Sequence, residues 1–302
     1  MTLATLLAGP GPVILDGAVG TELARRGIDT GLPLWSARAL DDAAGRAVLV
    51  AIHAAYARAG AVILTTCTFR TTPRALAAAG REARWRLFNQ YAVDAARAGS
   101  RATRLPALVA GSLAPLEDCY RCDLVPTQAA CLREHLVQVD LLARLGVDLI
   151  LVETMNTARE AMAAVEAVRT VGIDALMSLC PGPPDALLSG EPLGRIVPRL
   201  LEAGGGRIRG LMLNCATPGV LARAAPGLEA LASGLPWGVY AHLGEPDPVS
   251  GWRLPDDHDP EGYAEWMAPI VGAGARLAGG CCGTTPDHIA ALQRRFLPAR
   301  TA

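Results

Sequence analysis

Two adjacent cysteines near the carboxyl end of the chain have the residue type best suited to chemistry. Cys281 and Cys282 lie in a Gly-Gly-Cys-Cys-Gly run over residues 279–283, and the glycines leave the backbone free to bend until both sulfur atoms face one point. Cys215 follows Asn214 and can supply a third sulfur. A catalytic zinc ion keeps three protein ligands and one open position. The pattern therefore predicts a zinc site formed by Cys215, Cys281 and Cys282. The alternative is three buried cysteines that pack as small apolar residues.

A zinc ion held by three thiolates favours a particular kind of reaction. Such a site is electron-rich and generates hydroxide poorly. It suits instead a substrate thiol that must stay a nucleophilic thiolate at neutral pH. Hydrolytic zinc sites use more histidine and carboxylate ligands, but this chain has 5 histidines and neither an H-x-H nor an H-E-x-x-H motif. We predict that His242 is a pocket wall or a hydrogen-bonded rim residue, with metal binding as the alternative.

Acidic and polar residues that follow predicted strands can bind an amino-acid substrate. Asp16 and Glu153 each close an apolar run, and an ammonium group removed from water needs carboxylates as charge partners. The alternative for both is a salt bridge with one of the many arginines. Thr66 and Asn214 are further candidates for binding the substrate. Trp35 can stack on a sulfonium or quaternary ammonium methyl donor, or it can pack as a lid residue.

The remaining cysteines carry weaker signals. Cys180 also ends a predicted strand and can replace one of the metal ligands, although packing is the favoured interpretation. Cys119 and Cys122 have the C-x-x-C spacing of redox and zinc sites, but no second pair accompanies them. We interpret both as loop cysteines without a chemical role.

Short apolar runs alternate with longer helical stretches along the chain. The runs are almost continuously apolar, which is typical of strands covered on both faces. Eight strand–helix units predict an α/β fold, a (β/α)₈ TIM barrel that forms a single domain over residues 1–302. The active site of such a barrel lies at the carboxyl ends of the strands. The predicted strands are 13–16, 61–69, 107–113, 149–154, 174–180, 210–215, 237–242 and 275–282. The predicted helices are 46–59, 81–98, 127–145, 158–171, 191–203, 218–233, 260–273 and 286–296.

Composition excludes several classes of function. All 28 basic residues are arginine, so a lysine Schiff base and a P-loop lysine are impossible. The formal net charge is −1, without the basic excess of nucleic-acid-binding proteins, and no G-x-G-x-x-G motif indicates a dinucleotide site. No apolar run is long enough to span a bilayer, and no signal peptide precedes the first predicted strand. We expect no nucleic-acid or membrane partner and a cytoplasmic location.

Five segments of the sequence together resemble the homocysteine S-methyltransferase family. They are Val-Ile-Leu-Asp-Gly-Ala-Val-Gly-Thr at 13–21, Thr-Thr-Cys-Thr-Phe at 65–69, Leu-Val-Glu-Thr at 151–154, Asn-Cys at 214–215 and Gly-Gly-Cys-Cys-Gly-Thr-Thr-Pro-Asp-His-Ile at 279–289. The resemblance implies a zinc-dependent (β/α)₈ barrel that methylates the homocysteine sulfur to give methionine. It also implies roles for five residues: the zinc ligands Cys215, Cys281 and Cys282, and the contacts to the homocysteine amino group, Asp16 and Glu153.

The resemblance leaves the methyl donor open. The segment Leu-Pro-Leu-Trp-Ser-Ala-Arg-Ala-Leu at 32–40 is most similar to the branch that uses S-methylmethionine. The betaine-using branch has tyrosine where this chain has Arg70, and a guanidinium would repel a trimethylammonium group. We expect methyl transfer to homocysteine from a sulfonium donor, S-methylmethionine or S-adenosylmethionine. The alternatives are a different thiol acceptor, or a non-catalytic barrel with a structural zinc. The oligomeric state stays open.

Overall fold

Parallel strands form the centre of the fold in the computed structural model, which describes residues 1–182, 185–247, 250–255 and 257–297. The central sheet has 8 strands in the order β1-β10-β7-β6-β5-β4-β3-β2. A separate antiparallel hairpin is formed by β8 and β9. The strands are β1 (Val13–Ile14), β2 (Ile63–Thr65), β3 (Leu108–Leu113), β4 (Leu149–Met155), β5 (Ala175–Leu179), β6 (Ile208–Asn214), β7 (Trp237–Tyr240), β8 (Glu245–Asp247), β9 (Gly251–Arg253) and β10 (Leu277–Ala278).

Contacts between the first two strands close the sheet into a barrel. Leu15 forms a parallel bridge with Ile63. The backbone N–H of Asp16 donates to the Ile63 carbonyl at 3.0 Å, and that of Val62 donates to the Ile14 carbonyl at 2.9 Å. Each barrel strand therefore has a neighbour on both sides, and closure removes the exposed edges of an open sheet. The predicted (β/α)₈ TIM barrel is confirmed.

Helices cover the outside of the barrel. Several begin at a side chain that caps the first turn: Asp42 accepts from the N–H of Gly45 at 2.7 Å, and Thr127 and Thr157 play the same part in later helices,. No helix among the described residues is both long enough and apolar enough to cross a membrane. The helices are α1 (Leu3–Ala8), α2 (Val19–Arg25), α3 (Ala43–Ala59), α4 (Pro73–Ala77), α5 (Trp85–Thr103), α6 (Gln128–Arg144), α7 (Ala158–Val171), α8 (Leu193–Gly204), α9 (Pro218–Leu231), α10 (Pro260–Gly272) and α11 (Pro286–Phe296).

The predicted elements agree with the barrel units to within a few residues. The predicted helix 158–171 has the bounds of α7, and the predicted helix 127–145 corresponds to α6. The hydrophobic pattern did not reveal α2 or the hairpin of β8 and β9, which lie in segments that follow barrel strands. These elements are too short for a periodic apolar pattern, yet they help to cover the carboxyl end of the barrel.

Two apolar cores separate the barrel interior from the helix layer. Inside the barrel, side chains from different strands pack together, among them Leu15, Ile63, Leu151, Met212 and Leu277. A second and larger cluster lies between the strands and the helices. The interior is thus a filled core, and the functional groups are confined to the rim above it.

Candidate metal centre and active site

Three sulfur atoms meet at the carboxyl end of the barrel. The Sγ atoms of Cys215, Cys281 and Cys282 all lie within 4.8 Å of one another, and Cys215 Sγ is 3.3 Å from Cys281 Sγ. Cys215 directly follows β6, while the other two follow β10, and only β7 lies between these strands in the sheet. The three thiols that the sequence singled out are therefore brought together.

Backbone hydrogen bonds hold the cysteine pair in place. The N–H of Cys281 donates to the Ala241 carbonyl at 2.9 Å, and the Cys282 carbonyl accepts from the N–H of Leu243 at 2.7 Å. The next residue, Gly283, has a φ of +83°, and a Cβ there would lie 2.1 Å from the Leu243 carbonyl oxygen. Only glycine fits this turn, so the glycine after the cysteine pair serves the geometry of the site.

Further polar groups surround Cys215. The hydroxyl of Tyr120 lies 3.4 Å from the Cys215 sulfur and 3.5 Å from His242 Nδ1. Cys119 lines the same cavity as Cys215, and its thiol lowers the pKa of the Cys215 thiol. The thiol of Cys180 donates to the Cys215 carbonyl at 3.7 Å. Cys119, which we interpreted as a loop cysteine without a chemical role, therefore lies at the thiol cluster.

Hydrogen bonding among the thiols favours a thiolate at Cys215. Donation from Cys119, Cys281 and Cys282 lowers the pKa of the Cys215 thiol well below its ordinary value. The same contacts with Cys215, together with burial, raise the pKa values of the Cys281 and Cys282 thiols. Deprotonated sulfur is the form that binds metal ions. Three converging sulfur donors thus fit a thiophilic metal ion such as Zn²⁺.

Asp16 and Glu153 lie at the same cavity as buried carboxyl groups. Asp16 accepts hydrogen bonds from the N–H of Thr65 at 2.7 Å and from its hydroxyl at 2.8 Å, and Glu153 accepts from the Ser112 hydroxyl. Burial outweighs these bonds, raising the pKa of Asp16 to about 7 and the pKa of Glu153 to about 8. Their hydrogen-bond partners are Thr65 and Ser112, and no arginine among the described residues forms a salt bridge with either carboxyl group. The alternative role for Asp16 and Glu153, a salt bridge with arginine, is therefore not observed among the described residues.

Thr66 and Asn214 differ in their access to the cavity. Thr66 lines it, and its hydroxyl is 2.8 Å from that of Thr68. Asn214 is fully buried behind it: its Oδ1 accepts from the N–H of Thr154 at 3.0 Å and from the Ser178 hydroxyl at 2.7 Å. Thr154 has a φ of +62°, a strained conformation for this residue type. Asn214 thus holds the backbone immediately after Glu153 and does not face a ligand.

An aromatic wall bounds the cavity, whose volume is about 300 Å³. Trp35 contributes to this wall and meets the Phe69 ring edge-to-face at a centroid distance of 5.7 Å. The indole packs between Gly20 and Gly251, where an added Cβ would come within 2.6 and 2.8 Å of its atoms. Both glycines are therefore needed to seat the ring. Other lining residues of this region are Leu32, Arg70, Tyr120, Pro246 and Trp252.

Comparison with known proteins identifies the family. A family model described as homocysteine S-methyltransferase matches residues 13–296. The chain belongs to the homocysteine S-methyltransferase family. The homocysteine S-methyltransferase of Escherichia coli (strain K12) is 33% identical over 299 residues, covering 94% of each chain. The S-methylmethionine–homocysteine S-methyltransferase of Rattus norvegicus is 28% identical, with 95% of this chain and 79% of the relative covered.

Solved structures agree with this assignment to the homocysteine S-methyltransferase family. The metallated form of the Escherichia coli homocysteine methyltransferase MmuM is 32% identical and superposes with a TM-score of 0.84, covering 97% of this chain and 99% of that one. A member of the family has thus been solved in a metallated form.

Two residues of the site, Tyr120 and Ser112, had no role predicted from the sequence. Tyr120 lies between the cysteines of the C-x-x-C segment, so that motif was the available signal, but its spacing could not place the loop. Ser112 lies in β3 beside β4, which carries Glu153. Its role became visible only once the strand register was known.

Proposed function

We propose that this homocysteine S-methyltransferase family member transfers a methyl group from a sulfonium donor to the thiol of homocysteine, giving methionine. The observation that carries the proposal is the convergence of three thiols on a cavity that also contains two buried carboxyl groups. A metal-binding sulfur cluster suits the thiol of homocysteine, and an acidic pair suits its ammonium group.

Cys215, Cys281 and Cys282 are the proposed ligands of Zn²⁺. When bound, zinc keeps the acceptor sulfur as a nucleophilic thiolate at neutral pH. A purely structural zinc site would have a fourth protein ligand. Among the described residues no fourth His, Cys, Asp or Glu ligand atom lies within 4.8 Å of all three sulfur atoms, and the thiol of Cys180 is directed to the Cys215 carbonyl. This placement supports a catalytic site over the alternative of a structural zinc.

The acidic pair is the proposed binding site for the substrate ammonium group. An arriving cation lowers the pKa of a nearby carboxyl group, so Asp16 and Glu153 can ionise as homocysteine binds. Thr66 lines the same cavity, but its hydroxyl accepts from the Ser112 N–H and donates to Thr68, whose own hydroxyl donates to the Ser112 carbonyl. We propose that Thr66 shapes the barrel rim beside the substrate. Asn214 acts indirectly, by holding the strained Thr154 next to Glu153.

The transfer itself is a direct displacement between two sulfur atoms. A lone pair of the acceptor thiolate forms a new bond to the methyl carbon while the bond from that carbon to the sulfonium breaks. The bonding pair stays on the departing sulfur, which becomes a neutral thioether. The face of Trp35 is proposed to bind the sulfonium. Because the cavity aligns the reacting atoms, it lowers the entropic part of the activation free energy by several kcal/mol.

Methyl transfer and metal content, measured together, test the proposal. Purified protein with S-methylmethionine or S-adenosylmethionine and homocysteine should form methionine, and it should contain about one zinc ion per chain. Cys281→Ala should lose both. Full activity in metal-free protein would overturn the metal assignment, and methylation of another thiol in a panel, without homocysteine turnover, would overturn the acceptor.

A further inference from the structure

Arg70 has a guanidinium group without an acidic partner in the described part of the chain. It follows β2 and lines the same cavity as the three cysteines. Its Nη1 donates to the backbone carbonyl of Glu117 at 3.3 Å, but its buried Nε has no hydrogen-bond partner there. Buried donors in native proteins are nearly always satisfied. The unpaired nitrogen and uncompensated charge therefore point to an anionic group of a ligand.

Arg74 shows how a structural arginine in the same segment differs. Its Nε and Nη2 donate to the two carboxylate oxygens of Glu134 at 2.9 and 2.6 Å, and its Nη1 donates to Glu117 Oε1 at 2.8 Å. Carboxylates thus meet this guanidinium on two sides and compensate its charge. Arg70, four residues earlier, has the Glu117 backbone carbonyl as its one hydrogen-bond acceptor among the described residues. The two arginines form a matched pair for experiment.

Arg70 belongs to the same wall of the cavity as Trp35. Phe69 connects them: the guanidinium carbon of Arg70 is 5.8 Å from the Phe69 ring centroid, and that ring meets Trp35 edge-to-face. Trp35 Nε1 is itself buried without a hydrogen-bond partner among the described residues. This wall combines aromatic faces, which attract a cation, with N–H donors that attract an anion.

We propose that Arg70 binds the carboxylate of the methyl donor, so that the donor is a sulfonium compound built on an α-amino acid. The inference rests on the proposed function. A guanidinium pairs with a carboxylate through two parallel hydrogen bonds, but it repels a donor whose charges are all positive. S-Methylmethionine and S-adenosylmethionine share the required carboxylate. The acceptor's ammonium is left to Asp16 and Glu153.

Donors with and without the carboxylate test this role. In the wild type, kcat/KM for S-methylmethionine should exceed that for (3-aminopropyl)dimethylsulfonium, which lacks only the carboxylate, by about 100-fold. Arg70→Met should reduce this ratio to within about 3-fold by weakening the carboxylated donor alone. Arg70→Lys, which keeps the charge but not the fork, should retain an intermediate ratio. S-Adenosylmethionine has the same carboxylate, so an assay of it in parallel shows which of the two sulfonium donors the site accepts.

Arg74→Met is the control, since it removes a paired guanidinium outside the cavity and should leave the donor ratio unchanged. The inference would be overturned if Arg70→Met kept the wild-type ratio of kcat/KM for the two donors. It would also be overturned if this substitution raised the KM for homocysteine and left that of the donor unchanged. The affinity for S-methylmethionine, measured by calorimetry, needs no turnover. It therefore distinguishes a failure of the role of Arg70 from a failure of the proposed function. Equal affinity in wild type and Arg70→Met refutes the role of Arg70, whereas Arg70-dependent binding without transfer to homocysteine refutes only the acceptor.

Discussion

Cys215 and Cys281 hold their sulfur atoms 3.3 Å apart, although 66 positions separate them in the chain. The contact forms because β6 and β10 end at the same rim of the barrel with only β7 between them. Neither segment alone could bind a metal ion tightly. The pairing of strands therefore assembles the thiol cluster from segments that are distant in the chain.

Loss of one sulfur from the cluster should abolish metal retention. Cys215→Ser and Cys281→Ser are each expected to lower the affinity for Zn²⁺ by more than about 100-fold, because the site then offers two thiolates where three are needed. Metal content is measured by mass spectrometry after dialysis against a chelator. Cys180→Ser removes a buried thiol beside the cluster and should retain its metal. Zinc bound normally by Cys281→Ser would contradict the ligand set.

Binding of the amino-acid substrate should strengthen as pH rises. The pKa values of Asp16 and Glu153 are about 7 and about 8, so both carboxyl groups are neutral in acid and become anions able to pair with ammonium in mild alkali. Methionine is the best probe, because it has the ammonium but no thiol proton. Its affinity should rise between about pH 6 and pH 9, and binding near neutrality should release protons to the buffer.

Calorimetry in buffers of different ionisation enthalpy measures that proton release. Glu153→Gln should bind methionine more weakly and release fewer protons. Glu229→Gln, which changes an exposed glutamate remote from the cavity, should match the wild type. A methionine affinity that is flat across this pH range would show that the acidic pair does not bind the ammonium.

Because Glu153 is buried, its ionised form should lower the free energy of unfolding at alkaline pH. Its folded pKa of about 8 lies above the value near 4.3 of an unfolded glutamate. Its stabilising contribution is therefore complete below the unfolded pKa and is lost as pH rises through the folded pKa. At about pH 9, metal-free Glu153→Gln should be more stable than the wild type by up to ~5 kcal/mol, with little difference near pH 4.

Urea unfolding followed by circular dichroism measures this difference. Glu229→Gln serves again as the control and should have no effect at either pH. A Glu153→Gln protein less stable than the wild type in alkali would mean that the carboxylate contributes favourable contacts which outweigh its burial.

Adding a methyl group at Gly251 should disturb the aromatic wall. Gly251 has a φ of +83° and its Cβ would lie 2.8 Å from Trp35, whereas Gly190 has a φ of +85° with nothing within 4 Å. Gly251→Ala and Gly190→Ala therefore share the backbone strain, but only the first displaces the indole. We expect Gly251→Ala to raise the donor KM by about 10- to 100-fold. Steady-state kinetics with each substrate in turn measures this, and equal donor KM values in the two variants would exclude Trp35 from the donor site.

Much of this fold could be predicted because its strands are buried on both faces. Continuous apolar runs such as 149–154 and long amphipathic stretches such as 158–171 have lengths and periods that differ clearly. The helix α2 and the hairpin of β8 and β9 have neither. Their positions depend on contacts with the barrel rim, and such contacts cannot be predicted from a local sequence pattern.

The barrel and its three candidate ligands were predictable from the amino-acid sequence, because apolar periodicity and a Gly-Gly-Cys-Cys-Gly run reflect local physical needs. Folding alone places Cys119 and Tyr120 at the cavity of Cys215 and Asn214 behind it. Folding also leaves Arg70 without an acidic partner among the described residues. These facts depend on which groups become neighbours and which lose access to water. Both are set by the packing of segments distant in the chain.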